Sequence, residues 1–202
     1  APRLTKLPQF HDHELFLECF ADSAAAALAS VPSGSRLVFT AHSIPEAADV
    51  NAGPPGVSNL YSRQVRDAAA NVAARLGVDH DVVWQSRSGP PQVPWLEPDI
   101  CDHVQALWDQ RVPGVAVVPI GFISDHLEVI WDLDTEARDL AGELGMPFAR
   151  AATPIHDPRF AAMVADLVAD ADAGRSSGLG VSVDGAACVE GCCPAVRRPV
   201  RS

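Results

Sequence analysis

Hydrophobic and polar positions along the chain follow two alternating patterns. Short, nearly continuous apolar runs alternate with longer segments in which apolar residues recur every three or four positions. The short runs predict buried strands at 36–41, 81–85, 115–120 and, more briefly, 147–151. The longer segments predict amphipathic helices at 14–30, 59–76, 98–111, 125–144 and 158–172.

Helix boundaries are marked by residues with known terminal preferences. Gly77 and Gly145 follow two of the predicted helices and are expected to cap their C-terminal ends. Pro98 is expected in a first helical turn, where its missing N–H costs nothing. Ser124 is the expected N-cap of the helix at 125–144.

The alternation of strands and helices predicts an α/β fold, with one parallel sheet covered by helices on both faces. The composition changes after residue 173, where the stretch GRSSGLGVSVDG has the character of a flexible linker. We therefore predict an α/β unit at 1–173 and a linker with a cysteine-rich tail at 174–202.

Composition and charge exclude several classes of function. The chain has 202 residues, 48% of them hydrophobic, and carries 15 basic against 26 acidic side chains, for a net charge of -11. The electrostatic field of this negative charge repels the phosphate backbones of nucleic acids, so no nucleic-acid partner is expected. No apolar run is long enough to form a transmembrane segment. An odd number of cysteines, five, and no secretory leader favour a reducing, cytoplasmic location. The chain begins without Met, which predicts that it is part of a longer protein.

Ligands of open parallel sheets bind beyond the carboxyl ends of the strands. Three segments are predicted to meet there, namely TAHSIP (40–45), WQSRSGP (84–90) and PIGFISDHLE (119–128). The candidate functional residues in them are His42, Arg87, Phe122, His126 and Glu128. Arg87 could bind an anionic group beside an apolar wall, although ordinary turn chemistry explains the same residues.

The segment SDHLEVIWDLD places Asp125, Glu128 and Asp132 on one stripe of the predicted helix, with His126 beside them. Hard oxygen ligands in a row with an imidazole are suited to the passage of Fe²⁺. The alternative is a solvated acidic face with favourable charges at a helix N-terminus. The residue types alone favour neither interpretation.

Three cysteines, Cys188, Cys192 and Cys193, crowd the end of the chain. Their spacing is too tight for most zinc sites, and a [2Fe–2S] cluster needs four thiolates. Either Cys19 or Cys101 would have to supply the fourth. The alternative is an unstructured tail with incidental thiols.

Several long motifs resemble those of ferrochelatases. These are LECFADS, FTAHSIP, VVWQSRSGP with PWLEP, and VPIGFISDHLEVIWDLD, in this order. The resemblance extends from about residue 15 to 172. It implies a chelatase-like, Rossmann-like half of a two-half enzyme that inserts Fe²⁺ into a porphyrin to give heme. The missing N-terminal half would be needed to complete the porphyrin cleft.

The resemblance also implies roles for individual residues. His42, Glu128 and His126 match catalytic positions, and the first two would also bind the substrate Fe²⁺. Asp125 and Asp132 match acidic positions that would form a conduit for the metal or for protons. The positions implied in porphyrin binding are Phe122 and Tyr61, with Gln64 in the same segment as Tyr61; Arg87 is added as a candidate for an anionic group.

Some ferrochelatases hold a [2Fe–2S] cluster with one internal and three C-terminal cysteines. On this resemblance Cys19 would join Cys188, Cys192 and Cys193, leaving Cys101 free. The Ala- and Asp-rich composition is typical of a high-GC bacterium, and similar bacterial enzymes use coproporphyrin III, which we favour over protoporphyrin IX. Two alternatives stay open: a cobalt or nickel tetrapyrrole chelatase, and a non-catalytic iron–sulfur or tetrapyrrole-binding module.

Overall fold

The computed structural model describes residues 7–54 and 56–175. The strands are β1 (Arg36–His42), β2 (His80–Gln85), β3 (Val115–Val118) and β4 (Phe148–Arg150). The α-helices are α1 (Glu14–Ala29), α2 (Glu46–Val50), α3 (Leu60–Leu76), α4 (Ile100–Asp109), α5 (Leu127–Trp131), α6 (Arg138–Leu144) and α7 (Pro158–Asp172). A π-helical segment (Asp132–Ala137) joins α5 to α6, and a 3₁₀ turn (Pro154–His156) precedes α7.

The four strands form one sheet in the order β2–β1–β3–β4, and every neighbouring pair is parallel. Strand β1 is central, with Phe39 opposite Val82 on one side and Val118 on the other. Its nearly continuous apolar sequence is explained by this position, because a parallel strand is covered on both faces. The predicted parallel sheet is confirmed.

Helices cover both faces of the sheet, as predicted. Phe39 of β1 packs on one side with Phe20 of α1 in a cluster that α3 and α7 complete. Its neighbour Val38 packs on the other side with Leu107 of α4 and Leu133 of the π-helical segment. Burying each large apolar side chain stabilises the fold by about 1.5–3 kcal/mol.

The predicted start of the helix after β2 is wrong. Helix α4 begins at Ile100, and the carboxylate of Asp99 caps it by accepting the N–H of Cys101 at 2.8 Å. Pro98 lies before the helix, where its carbonyl accepts the N–H of Trp84 at 2.9 Å. This hydrogen bond holds the loop that contains Pro98 against β2.

The single helix predicted at 125–144 is also wrong. The helix begins at Leu127, and its N-cap is His126 rather than Ser124. The imidazole Nδ1 of His126 accepts the N–H of Glu128 at 3.3 Å, a role that the sequence argument gave to a serine hydroxyl. The π-helical segment then interrupts the α-helical pattern, and such wider turns are frequent at functional sites.

The strands β1, β2, β3 and β4 all end at one edge of the sheet, where His42, Gln85 and Arg150 are the last residues of their strands. In the described part of the chain, no helix combines the length and apolar character needed to cross a membrane. The predicted linker and tail beyond residue 175 lie outside the described residues. The division of the chain at residue 173 therefore stays a prediction.

Candidate metal-binding active site

The carboxyl edge of the sheet brings His42 and Glu128 together. The imidazole Nε2 of His42 lies 3.8 Å from Oε2 of Glu128. His42 ends β1, and Glu128 lies in the first turn of α5, after the loop that follows β3. Both side chains are reachable from solvent, at 34% and 56% exposure. The structure thus places these two predicted residues side by side, and their catalytic and metal-binding roles stay predictions.

The tautomer of His42 follows from its backbone contact. Nδ1 of His42 faces the carbonyl oxygen of Ser43, which can only accept a hydrogen bond. Nδ1 therefore carries the proton in the neutral imidazole, and the lone pair of Nε2 is left facing Glu128. A lone pair in this position can accept a proton or bind a metal ion.

The backbone of His42 is held by Tyr61. The hydroxyl of Tyr61 donates to the carbonyl oxygen of His42 at 2.7 Å, and its ring lies 5.9 Å from that of Trp84. Burial, with a smaller effect from the charge of Asp49, raises the pKa of Tyr61 to about 12. Tyr61 therefore stays a hydrogen-bond donor over the ordinary pH range.

The loop after β2 further fixes the position of His42. The N–H of Ser43 donates to the carbonyl of Gln85 at 2.7 Å, and its hydroxyl donates to the carbonyl of Leu96 at 2.9 Å. The N–H of Leu96 in turn donates to the carbonyl of Ile44 at 3.0 Å. Because these bonds lie on both sides of Ser43, the residue that follows His42 has little freedom to move.

Glycine at position 121 allows the loop carrying Glu128 to approach β1. The N–H of Gly121 donates to the carbonyl of Thr40 at 3.1 Å. A Cβ at this position would lie 2.5 Å from the Cβ of Ala41, far inside van der Waals contact. Any larger residue would separate the loop from the strand that ends in His42.

His126 supports Glu128 rather than facing His42. Its Nδ1 lies 4.0 Å from Oε2 of Glu128, but the lone pair on that nitrogen already accepts the N–H of Glu128. The ring packs edge-on against Phe122, with 5.1 Å between the ring centroids. Phe122 itself is 7% exposed and belongs to the core. The two aromatic residues thus fix the beginning of α5.

The predicted stripe of three carboxylates on one helical face is wrong. Asp125 precedes α5 and forms a bidentate ion pair with Arg150, with both N–O distances at 3.1 Å. Asp132 accepts the side-chain amide of Gln85 at 3.2 Å and the hydroxyl of Ser86. Asp125 lies outside the helix because α5 starts later than predicted, and Asp125 and Asp132 have different partners. A conduit role for Asp125 and Asp132 stays a prediction.

Arg87 and Gln64 do not join the His42–Glu128 pair. Arg87 contacts members of its own loop, at 3.3 Å from the carbonyl of Pro91 and 3.6 Å from the carboxylate of Glu97. The side chain of Gln64 donates to that of Gln9. Roles of Arg87 and Phe122 in substrate binding stay predictions.

An apolar cavity of about 230 Å³ lies at the same edge of the sheet. Tyr61 lines it, and Gly121 and Ile123 come from the loop that leads to Glu128. Phe10, Phe16 and Val65 supply much of the rest of its wall. The cavity shares Tyr61 and this loop with the residues that position the His42–Glu128 pair.

Comparison with known proteins identifies the family. A model of the ferrochelatase family matches residues 1–172. The chain is 57% identical to the coproporphyrin III ferrochelatase of Nocardia farcinica, over 98% of this chain and 60% of that protein. It is 53% identical to the coproporphyrin III ferrochelatase of Mycobacteroides abscessus, over 96% of this chain and 59% of that protein. The chain belongs to the ferrochelatase family.

This ferrochelatase-family chain spans about 60% of the length of those curated relatives. Among solved structures, a cobalamin (vitamin B12) biosynthesis CbiX protein from Marinobacter aquaeolei covers 70% of this chain and 99% of its own, with a TM-score of 0.46 and 18% identity. A similarity at that TM-score is too weak to bear on fold or function. The predicted resemblance to ferrochelatases is confirmed by the family match and the close relatives.

The two cysteines within the described residues lie in different surroundings. Cys19 is 5% exposed on α1, and burial, followed by the negative charge of Asp157, raises its pKa. Cys101 lies on α4, where burial and the charge of Asp99 raise its pKa to about 12. Cys188, Cys192 and Cys193 lie outside the described residues. In the part that is described, no group of three His, Cys, Asp or Glu residues is arranged to hold a metal ion.

Three residues that shape this ferrochelatase-family site were missed by sequence reasoning: Ser43, Gly121 and Arg150. Arg150 ends β4 and so lies at the edge of the sheet where candidates were sought. Applying the strand-end rule to that short fourth strand would have identified Arg150. The hydroxyl of Ser43 and the absent side chain of Gly121 depend on partners that no local pattern indicates.

Proposed function

We propose that this chain provides the metal-handling residues of a ferrochelatase that inserts Fe²⁺ into a porphyrin. The observation that supports this proposal most directly is the 3.8 Å separation of His42 Nε2 and Glu128 Oε2. Ligand bonds of about 2.1 Å to one ion would reach both atoms at an angle of about 130° without any movement of the chain. Water or a pyrrole nitrogen would complete the coordination of Fe²⁺.

The two residues would divide the chemistry of metalation. Insertion removes two pyrrole protons and strips water from the metal, so a base and a ligand are both required. Nε2 of His42 has a single free lone pair, which would bind Fe²⁺ together with Glu128 while the metal is held. Once the metal has moved to the porphyrin, this lone pair would accept one pyrrole proton, and the second proton would go to the released carboxylate of Glu128 or to solvent. His126 would keep Glu128 in place from the start of α5. General-base catalysis of this kind typically contributes about 10² to 10⁴ in rate.

The apolar cavity beside the pair would accept part of the macrocycle. Its lining of Phe10, Phe16 and Val65 is suited to a flat, hydrophobic ligand, and Tyr61 connects it to His42. We favour coproporphyrin III over protoporphyrin IX as the substrate, since the relatives from Nocardia and Mycobacteroides are named for it. The portion of those relatives that this chain does not span would supply the rest of the cleft.

A metalation assay tests this function. The chain, joined to the portion that would complete the cleft, would be incubated anaerobically with Fe²⁺ and either coproporphyrin III or protoporphyrin IX. Metalloporphyrin formation would be followed by absorbance. We expect turnover with Fe²⁺, faster with coproporphyrin III, and its loss in His42→Ala and Glu128→Gln. Arms with Co²⁺ and Ni²⁺ test the alternative chelatases, and binding of porphyrin without turnover by any metal would support a non-catalytic module. Full activity of His42→Ala would refute the proposed role of the imidazole.

We further propose that the chain binds a [2Fe–2S] cluster through Cys19, Cys188, Cys192 and Cys193. Arg159, whose charge favours a thiolate, is among the groups that influence Cys19, together with Asp157 and Asp22, whose charges oppose it. Arg159 lies beside Cys19, where it pairs with Asp157 at 2.6 Å and Asp22 at 2.7 Å. A cation next to a thiolate ligand offsets part of the negative charge of a cluster.

The main influences on Cys101 are burial and four carboxylates. Its neighbours are the carboxylates of Asp99, Glu136, Asp102 and Asp132, whose charges all oppose a thiolate. A negatively charged cluster at this position would be repelled by these carboxylates. The surroundings of Cys101 therefore fit a cluster less well than those of Cys19.

The tail is long enough to reach Cys19. Helix α7 packs against α1 and carries Asp157 at its N-cap, beside Cys19, so the chain leaves α7 at the far end. The 15 residues of α7 extend about 22 Å. The segment from residue 175 to Cys188 can extend roughly 43 Å, about twice the distance needed for the return. The cluster would then tie the tail to α1.

A further inference from the structure

Arg150 connects the segments on either side of Glu128. Its Nε and Nη2 donate to the carboxylate of Asp134 at 2.6 and 2.9 Å. Its Nη1 and Nη2 donate to the carboxylate of Asp125 at 3.1 Å each. The remaining Nη1 hydrogen faces the carbonyl of Ala151 at 3.2 Å. Every N–H of this guanidinium therefore has an acceptor.

The three residues come from three different elements at the metal-binding edge. Arg150 is the last residue of β4 and lies opposite Val117 of β3, so the sheet fixes its backbone. Asp125 lies in the loop before α5, and Asp134 lies in the π-helical segment after it. The guanidinium thus joins the entrance and the exit of the helix that carries Glu128.

We infer that Arg150 is a positioning residue for Glu128, and that Asp125 and Asp134 act with it as a clamp on α5. This inference rests on the proposed function, because it concerns the metal-handling carboxylate of that site. The clamp holds α5 at both ends while leaving the side chain of Glu128 free to face His42. Glu128 itself makes no contact with Arg150 among the interactions of the described residues.

The charge balance of the clamp explains why arginine is needed. Two carboxylates near each other repel, and a single cation between them removes most of that repulsion. Only a planar, forked guanidinium can bind both in bidentate fashion, whereas a lysine ammonium offers a point charge on a flexible stem. Arg150 is 16% exposed, so solvent screens these pairs less than surface ion pairs.

The clamp and the predicted conduit give opposite expectations for Asp125. In the clamp, the carboxylate of Asp125 is occupied by Arg150 and acts through geometry. In a conduit, Asp125 would bind passing metal itself, and releasing it from Arg150 would strengthen that interaction. The effect of weakening Arg150 on metal affinity therefore distinguishes the two roles.

Titration with Co²⁺, a coloured surrogate for Fe²⁺, tests the inference on the full chain. The visible absorbance gives affinity and coordination geometry together, and His42→Ala gives the background from other histidines. We expect Arg150→Lys to weaken Co²⁺ binding at the His42–Glu128 pair by about 10- to 100-fold, the usual effect of losing a group that orients a metal ligand. The Co²⁺ spectrum should change as well.

Arg75→Lys is the matched control. Arg75 forms a bidentate pair with Glu14 at 2.8 and 2.8 Å, away from the metal-binding edge. Losing this bidentate ion pair should leave the affinity for Co²⁺ unchanged, because an exposed ion pair contributes little to stability. Thermal unfolding of both variants shows whether a change in affinity merely reflects a loss of folded protein.

A second variant, Asp125→Asn, keeps the test decisive if Arg150→Lys does not fold. It removes one carboxylate from the clamp and leaves the Arg150–Asp134 pair in place. The clamp predicts that Asp125→Asn alone weakens Co²⁺ binding and, where Arg150→Lys folds, that the double variant is no worse than the poorer single variant. Additive losses, or unchanged affinity in both single variants, would overturn the positioning role. Absence of Co²⁺ binding by the unaltered chain would instead overturn the proposed function and this inference with it.

Discussion

The hydroxyl of Tyr61, in the first turn of α3, donates a 2.7 Å hydrogen bond to the backbone carbonyl of His42, the last residue of β1. Helix α3 packs on one face of the sheet, whereas Glu128 is carried by an element on the other face. The imidazole of His42 therefore lies where elements from the two faces of the sheet meet. Its position depends on contacts made by side chains from both faces, which makes it sensitive to changes far from the pair.

Ionisation of Tyr61 should be delayed to high pH in the folded chain. Burial raises its pKa from 10 to about 12, so the folded state holds the phenolic proton more tightly than the unfolded state. The stabilisation is complete below pH 10 and is lost as the pH rises toward 12, at a cost of at most about 2–3 kcal/mol. Tyr61 is the only tyrosine among the 202 residues, so tyrosinate absorbance reports on it alone.

The control for that titration is the chain unfolded in urea, where tyrosinate should appear near pH 10. Tyr61→Phe should lose about 1 kcal/mol of stability along with this pH dependence, because the ring packing remains and only the hydrogen bond is removed. Tyrosinate formation near pH 10 in the folded chain would contradict the buried contact with His42.

Gly121→Ala should damage the site more than the fold. Its new Cβ would lie 2.5 Å from the Cβ of Ala41, so the loop that leads to Glu128 must move away from β1. We expect a loss of about 1–3 kcal/mol in urea unfolding, together with weaker metal binding. Gly142→Ala is the control, because that position in α6 has open space around it and alanine favours helices by about 1 kcal/mol. Equal behaviour of the two variants would refute the close approach at Gly121.

Asp132→Ala should destabilise the chain more than Asp132→Asn. Asp132 accepts the side-chain amide of Gln85, which is fully buried. Alanine would leave that amide without its partner, at a cost of about 1–3 kcal/mol, whereas asparagine keeps an acceptor oxygen. Urea unfolding of the two variants measures the difference. If both variants unfold like the unaltered chain but metalation slows in each, a conduit role for Asp132 would be favoured over a structural one.

Cys19→Ser should remove the visible absorbance of the proposed cluster, while Cys101→Ser should leave it unchanged. The reason is that Arg159 offsets part of the negative charge around Cys19, whereas the main charges that influence Cys101 all belong to carboxylates. Absorbance and iron content of the full chain, purified without oxygen, measure the outcome. The opposite result would assign the fourth ligand to Cys101. Unchanged spectra in both variants would exclude both cysteines as ligands of the cluster.

The sequence alone predicted the strands, the parallel sheet and the meeting of the segments that carry His42 and Glu128. These follow from apolar runs and from the rule that ligand-binding residues gather at the carboxyl edge, which need no knowledge of side-chain partners. His42 ends one strand and Glu128 lies in the segment after the neighbouring strand, so the order of the strands brings them to the same edge of the sheet.

The local arrangement around α5 could not be predicted in the same way. A helical pattern over 125–144 hides the cap made by His126 and the π-helical segment that begins at Asp132. The cap is a histidine where serine or aspartate is the usual signal, and the π-helical segment has partners that are distant in the sequence, such as Arg150 at the end of β4. Helical periodicity shows which residues face the core. It does not show where a polar side chain caps the helix or where the α-helical hydrogen bonding is interrupted.

The most direct test of the account is a Co²⁺ titration of the full chain and of His42→Ala, Glu128→Gln and the double variant. Because one ion would bind both Nε2 of His42 and Oε2 of Glu128, we expect each single variant to lose at least about tenfold in affinity. The double variant should lose little more than either single one, since the site is already broken. Losses that simply add, or a single variant that binds Co²⁺ as tightly as the unaltered chain, would show that the two residues do not share a metal ion.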